Sequence, residues 1–378
     1  MNRLDFGKLF SGKGLTWLLL LLVLLLNFSI RWRLRDLPLE RDEGEYAYAG
    51  QLILQGIPPY ELAWNMKFPG VYFAYAGLMS IFGQTPQGIH CGLILVTSLT
   101  ILLVFLIGRE LMDDSGGLLA ALFFALLCSL PSAYGLAAHA THFVVLCVTL
   151  GVFAFLKMGG SRPLLWASVS GVAFGSAILM KQQAVFFAAA AFALLLWRER
   201  SEKVTALRRT AVFSVATILP LSVMLMGLAW AGVWDRFYQW TILYASEYIS
   251  MLSVGDLPHQ FAAGFGPLLD DGVWVWGLGL LGCLLVLMNG PGRRAAFCGA
   301  ALLLTGLVAT VPGYYFRGHY FLMLMPGLAL LIAGLLRGFA DQLRPRMTRQ
   351  VQQLFTLCFF LLASGDLLLR NAAVWFEP

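Results

Sequence analysis

Eleven apolar stretches, each near the length that crosses a bilayer, decide what this chain can fold into. A spanning helix needs about 20 mainly apolar residues to cover a hydrocarbon core of roughly 30 Å. Residues 15–30, 89–108, 117–133, 140–156, 164–180, 183–197, 210–231, 272–288, 295–311, 320–336 and 351–369 fit that description. Composition agrees, since 59% of the 378 residues are hydrophobic and only 12% are charged, against about 25% charged in a soluble domain. Such figures exclude a disordered chain, a nucleic-acid binder made of basic patches and a small disulfide scaffold. The expected fold class is an all-α polytopic membrane protein of about eleven transmembrane helices. We read it as one integral membrane domain over residues 1–378, with no soluble domain after the last stretch. The first stretch follows Arg3, Lys8 and Lys13 and lacks a small-residue cleavage site after it, so it reads as a retained anchor.

Cytoplasmic loops are enriched in Lys and Arg. Placing the N-terminus inside gathers Arg109, Lys157, Arg162, Arg198, Arg200, Lys203, Arg208, Arg209, Arg293, Arg294, Arg337, Arg344, Arg346 and Arg349 on the inner side. An N-in/C-out topology is the consequence, and the net charge of +6 belongs to the cytoplasmic face. Cys91, Cys128, Cys147, Cys283, Cys298 and Cys358 fall in or beside apolar stretches. They read as small hydrophobes rather than as a disulfide or metal framework.

Two outer loops, residues 31–88 and 232–271, are too long to be turns. Both are rich in Tyr, Trp and Phe, residues that settle at the headgroup level. Within the first, the runs Glu45–Leu54 and Val71–Phe82 read as juxtamembrane helices separated by the turn Gly56-Ile57-Pro58-Pro59.

Sorting the polar residues by side points to where chemistry belongs. On the outer side lie Asp42, Glu43, Lys67, His139, His142, Lys181, Arg317 and His319, whereas the inner loops carry no His. Each group has an ordinary reading too. Arg41-Asp42-Glu43 suits the first turn of a helix, where acids favour the dipole. A lysine such as Lys67 snorkels, and Arg317 among aromatics suits an interface. His139 and His142 are three residues apart, close enough to share a helix face and meet a metal or a phosphate. Lys181 interrupts an otherwise apolar run; ionisable groups there pair or line a pathway, so it is a candidate for binding an anion.

Arg41-Asp42-Glu43 with Tyr46-Ala47, then Gly56, Pro59-Tyr60 and Lys67-Phe68-Pro69-Gly70 ahead of an apolar helix ending in Phe82-Gly83, resembles the first outer loop of the GT-C membrane glycosyltransferases. The resemblance is to the branch that includes protein O-mannosyltransferases and the lipid A aminoarabinose transferase. Gly175 to Lys181 resembles its glycine-containing span ending in Lys, and Arg317-Gly318-His319-Tyr320 with Pro326 resembles a late Arg/His-Tyr segment. The resemblance implies transfer of a sugar from a polyprenyl-phosphate donor to a lipid, glycan or protein acceptor, at the outer face of a bacterial inner membrane. It implies Asp42 as catalytic base, with Glu43 second, and Lys67, His142, Lys181, Arg317 and His319 as groups for the donor phosphate. Where many relatives carry a second acid, this chain has Ala140-Thr141-His142, and Phe68 stands where Pro is usual. A divalent ion is therefore an open question, and no other cofactor is expected.

Three other classes stay open on the sequence, of which a non-enzymatic scaffold would have no need for a carboxylate and three cations on one side. A transporter or flippase of a lipid-linked sugar would need ionisable groups along a path through the bundle, and no internal repeat of the transporter kind is visible. A lipid-linked oligosaccharide ligase or polymerase would share the donor and the outer face, and would depend on Arg and His more than on Asp42.

Overall fold

The computed structural model describes residues 13–198, 203–287, 292–343 and 364–376, and every regular element among them is helical. In chain order these are α1 (Lys13–Arg33), α2 (Arg41–Leu54), α3 (Gly70–Phe82), α4 (Pro86–Leu111), α5 (Asp114–Leu127), α6 (Ala140–Lys157), α7 (Pro163–Met180), α8 (Val185–Arg198) and α9 (Lys203–Trp230). They continue with α10 (Trp234–Tyr238), α11 (Ala245–Ile249), α12 (Leu257–Leu284), α13 (Arg293–Thr310), α14 (Met325–Leu343) and α15 (residues 364–376). Eight helical stretches are long and apolar enough to cross a membrane, and α5 and the helix ending at Arg198 are apolar but shorter. These coincide with ten of the eleven expected stretches. The eleventh, 351–369, lies largely outside the described residues, as do Arg3, Lys8, Arg200, Arg344, Arg346, Arg349 and Cys358.

Three local outcomes differ from the sequence expectation, each for a physical reason. The first juxtamembrane helix starts at Arg41, four residues ahead of the Glu45–Leu54 run and at the acidic turn that Arg41-Asp42-Glu43 also suited, because Glu40 and Glu43 close a capping box over its first turn, satisfying backbone N–H groups that the helix start leaves unpaired. The second long loop is largely helical. A π-helical stretch, Gln239–Tyr244, joins α10 to α11, and α12 already begins at Leu257. The acids Asp270 and Asp271 end the apolar run in sequence without ending the helix. The backbone breaks one residue later at Gly272 (φ 178°, ψ 79°), where Arg370 and Asn371 donate to the carbonyls of Asp270 and Asp271 at 3.0 and 3.2 Å.

The third difference is α5, which stops at Leu127 although its apolar run continues to residue 133. The next segment, residues 128–139, is mostly non-helical and mostly buried. Irregular backbone at membrane depth survives only where protein satisfies it, and Arg31 of α1 does so. Its guanidinium donates to the carbonyls of Gly135 at 2.7 Å and Cys128 at 2.8 Å and to the Asn27 amide oxygen at 2.9 Å. The Trp375 indole donates to the Ser129 carbonyl at 3.0 Å. This pinned segment delivers His139 to the start of α6.

Helix α14 runs through the centre, almost wholly buried over its apolar window, and packs on α13, α12 and α5. At one end of the bundle, Lys157 pairs with Glu110, Arg109 with Asp114 and Arg337 with Asp113. Loops that the charge pattern assigns to one side thus meet at one end, and α2 and α3 lie at the other. Between α7 and α9, Gly171 and Gly175 form a small-residue stripe one turn apart. A Cβ on Gly175 would lie 2.2 Å from the Thr217 carbonyl oxygen. Gly175→Ala is expected to force α7 from α9 and cost about 1–3 kcal/mol, read as a lowered thermal midpoint in detergent.

Candidate active site

The site grows from the first turn of α2. Its capping box sends consecutive carboxylates in different directions, as the 100° step of a helix requires. Glu43 turns inward, with one oxygen accepting the Glu40 N–H at 2.9 Å and the other accepting the Ala138 N–H at 2.5 Å beside His90 Nε2 at 3.2 Å. These contacts outweigh burial and hold the Glu43 carboxyl below its ordinary value. Glu43 therefore ties α2 to the residue before His139.

Asp42 turns toward a pocket of charges. Its carboxylate meets Arg41 at 2.9 Å, Lys67 at 3.3 Å, the Tyr46 hydroxyl at 3.4 Å and His139 Nδ1 at 3.9 Å. Burial alone would raise its pKa, but Lys67 and Arg41 prevail and hold it down at about 2. Lys67 bridges to Glu45 Oε2 at 3.2 Å and lies 4.6 Å over the Tyr46 ring. Glu45 also accepts from Asn65 and Tyr72, yet burial leaves its carboxyl raised.

Two close approaches bring Lys67 near Lys181. A Cβ on Gly70 would fall 2.5 Å from the Leu179 carbonyl, so only glycine lets α3 start against the end of α7. Gln182 donates to the Met66 carbonyl at 2.6 Å. Lys181 is buried, with its ammonium 3.9 Å over the Tyr320 ring and no carboxylate in an ion pair with it among the described residues. Burial, helped by the Lys67 charge and opposed by Asp42, pulls its pKa down to about 7.

His139 and His319 close the group, their rings stacked at 4.1 Å and 6° with Tyr134 edge-on to both. Both ring nitrogens of His139 lack a hydrogen-bond partner, and burial drags its pKa to about 4. Backbone strain gathers in the same loops. Tyr60, Tyr134, Tyr314 and Phe316 all have positive φ, from 41° to 69°, a conformation that bulky residues seldom adopt and that clusters at functional sites.

Of the residues singled out in the sequence, Asp42, Lys67, His139, Lys181 and His319 share this pocket. His142 is buried within α6 with Nε2 unpartnered, and Arg317 is exposed at the rim, 5.4 Å over the Tyr315 ring. The sequence pattern assigned no role in this site to Glu40, Glu45, His90 or Tyr320. Glu45 was legible as the i+3 neighbour of Asp42 on one helix face; His90 had no local signal.

Residues 66–230 match the family model for dolichyl-phosphate-mannose-protein mannosyltransferases. The structure resembles the Archaeoglobus fulgidus oligosaccharyltransferase in its apo form, with a TM-score of 0.66 at 13% identity over 97% of this chain and 57% of that one. It resembles the same enzyme in complex with Zn and sulfate at 0.63, with 15% identity over 95% and 53%. ArnT from Cupriavidus metallidurans, bound to undecaprenyl phosphate, gives 0.57 at 16% identity over 98% and 74%. The fold is that of the GT-C membrane glycosyltransferases. The GT-C likeness spans nearly all of this chain but little more than half of the archaeal enzyme. No curated protein matches the sequence significantly.

His139 gives the site an acid-sensitive component. A ring whose folded pKa is about 4, against an ordinary 6.5, contributes stability that is complete above pH 6.5 and is lost as pH falls toward 4. Asp42 loses its own contribution only below its ordinary 3.8. The thermal midpoint should therefore fall between pH 6.5 and 4, and His139→Gln should flatten that slope, in a pH series of melting curves.

Proposed function

We propose that the protein transfers a sugar from a polyprenyl-phosphate carrier to an acceptor at the outer face of the membrane, with the N-terminus inside. The observation that carries this reading is the buried Asp42 carboxylate set beside Lys67 and near Lys181 at one end of a membrane bundle, with Lys181 in no ion pair with an acid among the described residues. A carrier's tail can stay in lipid while its phosphate meets those ammonium groups. The GT-C neighbour bound to undecaprenyl phosphate supports the same class of donor.

In this reading an acceptor hydroxyl or amine attacks the anomeric carbon from the face opposite the phosphate. The new bond forms as the sugar–phosphate C–O bond breaks, inverting the centre; Asp42 receives the acceptor's proton and the phosphate leaves with the bonding pair. Lys67 and Lys181 stabilise the charge that gathers on the departing phosphate. A carboxylate held at about 2 is a poor base, so the donor has a second effect. A phosphate that draws Lys67 and Arg41 toward itself removes the groups that depress Asp42 and makes it more basic. Glu43 serves as a positioning group for Asp42 and His139. Arg317 meets the phosphate at the rim, and the rings of His139 and His319 are hydrogen-bond partners for donor or acceptor, with His142 behind them.

Asp42, His139 and His319 place one ligand atom each within 4.8 Å of one another, a donor set of the type that binds transition metals. The geometry does not suit a shared ion. Ring lone pairs lie in the ring planes, and planes only 6° from parallel send them side by side rather than to one point. No step of the mechanism passes through a metal.

Asp42→Asn is expected to lower transfer from a labelled polyprenyl-phosphate sugar by about 10²–10⁴-fold at equal membrane insertion; unchanged labelling would remove Asp42 from the chemistry. Lys181 sets a pH dependence. Its ammonium is charged below about 7 in the empty site, and a bound phosphate favours the charged form, so binding takes up a proton. Donor affinity should fall as pH rises above 7, approaching about tenfold per unit, and Lys181→Arg should flatten that limb in donor titrations.

A further inference from the structure

A second cavity lies at the other end of the bundle. It has a volume of about 460 Å³ and is walled by apolar side chains of α6, α7, α8 and α13, among them Phe174, Phe187, Ala191 and Leu302, with Arg293 and Arg294 also on its lining. Chain direction fixes its depth. Helix α8 leaves the Asp42 pocket four residues after Lys181 and runs 14 residues to Arg198, about 21 Å at 1.5 Å per residue. The lining extends from Phe187 to Trp197, about 15 Å, which is one leaflet of a hydrocarbon core of roughly 30 Å. Trp197 and Phe297, both exposed, stack at 6.5 Å beside it, in the manner of side chains at a headgroup interface.

Among the described residues, basic groups outnumber acidic ones at this end. Glu110, Asp113 and Asp114 are already paired with Lys157, Arg337 and Arg109. Arg293 donates to the Val286 carbonyl at 3.2 Å. Arg294 is exposed and has no hydrogen-bond or ion-pair partner among the described residues.

We propose that this cavity is a binding site for an anionic glycerophospholipid, one acyl chain filling the apolar interior and the headgroup phosphate meeting Arg294. The walls explain the chain, because an apolar pocket open to the bilayer takes up hydrocarbon, which supplies the packing contacts its walls otherwise lack. The arginine explains the headgroup. A carrier tail descending from the Asp42 end would bring no anion to Arg294, whereas a phospholipid of the near leaflet places its phosphate there and sends its chain inward.

The test is photo-crosslinking of the full chain in nanodiscs that contain phosphatidylglycerol with a diazirine on its acyl chain, with the labelled sites then located by peptide mapping. Labelling should fall on α8 and α13, be competed by unlabelled phosphatidylglycerol and not by phosphatidylcholine, and drop several-fold in Arg294→Gln and in Ala191→Phe, which fills the interior. Equal labelling by a phosphatidylcholine probe, or labelling indifferent to both variants, overturns the proposal. Stronger labelling by a diazirine polyprenyl phosphate also overturns it, in favour of the carrier tail. Ala191→Phe puts a large ring into the bundle and can impair folding, so each variant's size-exclusion profile is compared with that of the parent chain, and Arg294→Gln, at an exposed position, carries the test by itself.

Discussion

The carboxylate of Glu43 is the joint on which the site hangs. One of its oxygens closes the first turn of α2, and the other holds the backbone of Ala138, 95 residues away. A carboxylate so deeply buried persists only when each oxygen is satisfied. Here every partner belongs to a segment that the site needs: α2 itself, the His90 turn of α4, and the pinned segment before α6. Asp42 is therefore placed by the group beside it, and His139 arrives opposite Asp42 because Ala138 cannot move.

Around that joint the protein divides charge unevenly. Asp42 is kept strongly acidic by two neighbouring cations, while Lys181, with an aromatic face for company, is brought to the edge of neutrality. His139 and His319 stack against each other and add no acid to the pocket. On the proposed reading, Lys181 awaits an anion that no described acid supplies. The proposed donor would supply that charge where a lipid tail can remain in the membrane.

Much of this architecture was legible in the chain's local patterns. Apolar length located ten of the helices, and the surface runs flanking Gly56-Ile57-Pro58-Pro59 are α2 and α3. Lys67-Phe68-Pro69-Gly70 stood out as a lysine before a stop, and the glycine proves to be what allows α3 to meet Leu179. Local patterns misled where a remote partner intervened. Asp270 and Asp271 stood just before the expected span, but the helix begun at Leu257 runs through them and breaks only at Gly272, where Arg370 and Asn371 satisfy the carbonyls that the break frees. The apolar run after Leu127 looked like helix, yet the guanidinium of Arg31 supplies the hydrogen bonds that a helix would otherwise provide.

The sequence by itself determined that the chain crosses a membrane repeatedly, and it raised the expectation that Asp42, Glu43, the histidines and the isolated Lys181 gather toward one end. Those properties depend on composition over about twenty residues, which any window of the chain displays. Only the tertiary structure decided that Glu43 positions while Asp42 faces the pocket, that His139 rather than His142 meets it, and that Lys181 has no carboxylate partner among the described residues. Burial and charge separation fix each of these, and both are set by contacts between segments many residues apart, at distances of a few ångströms that no local pattern records.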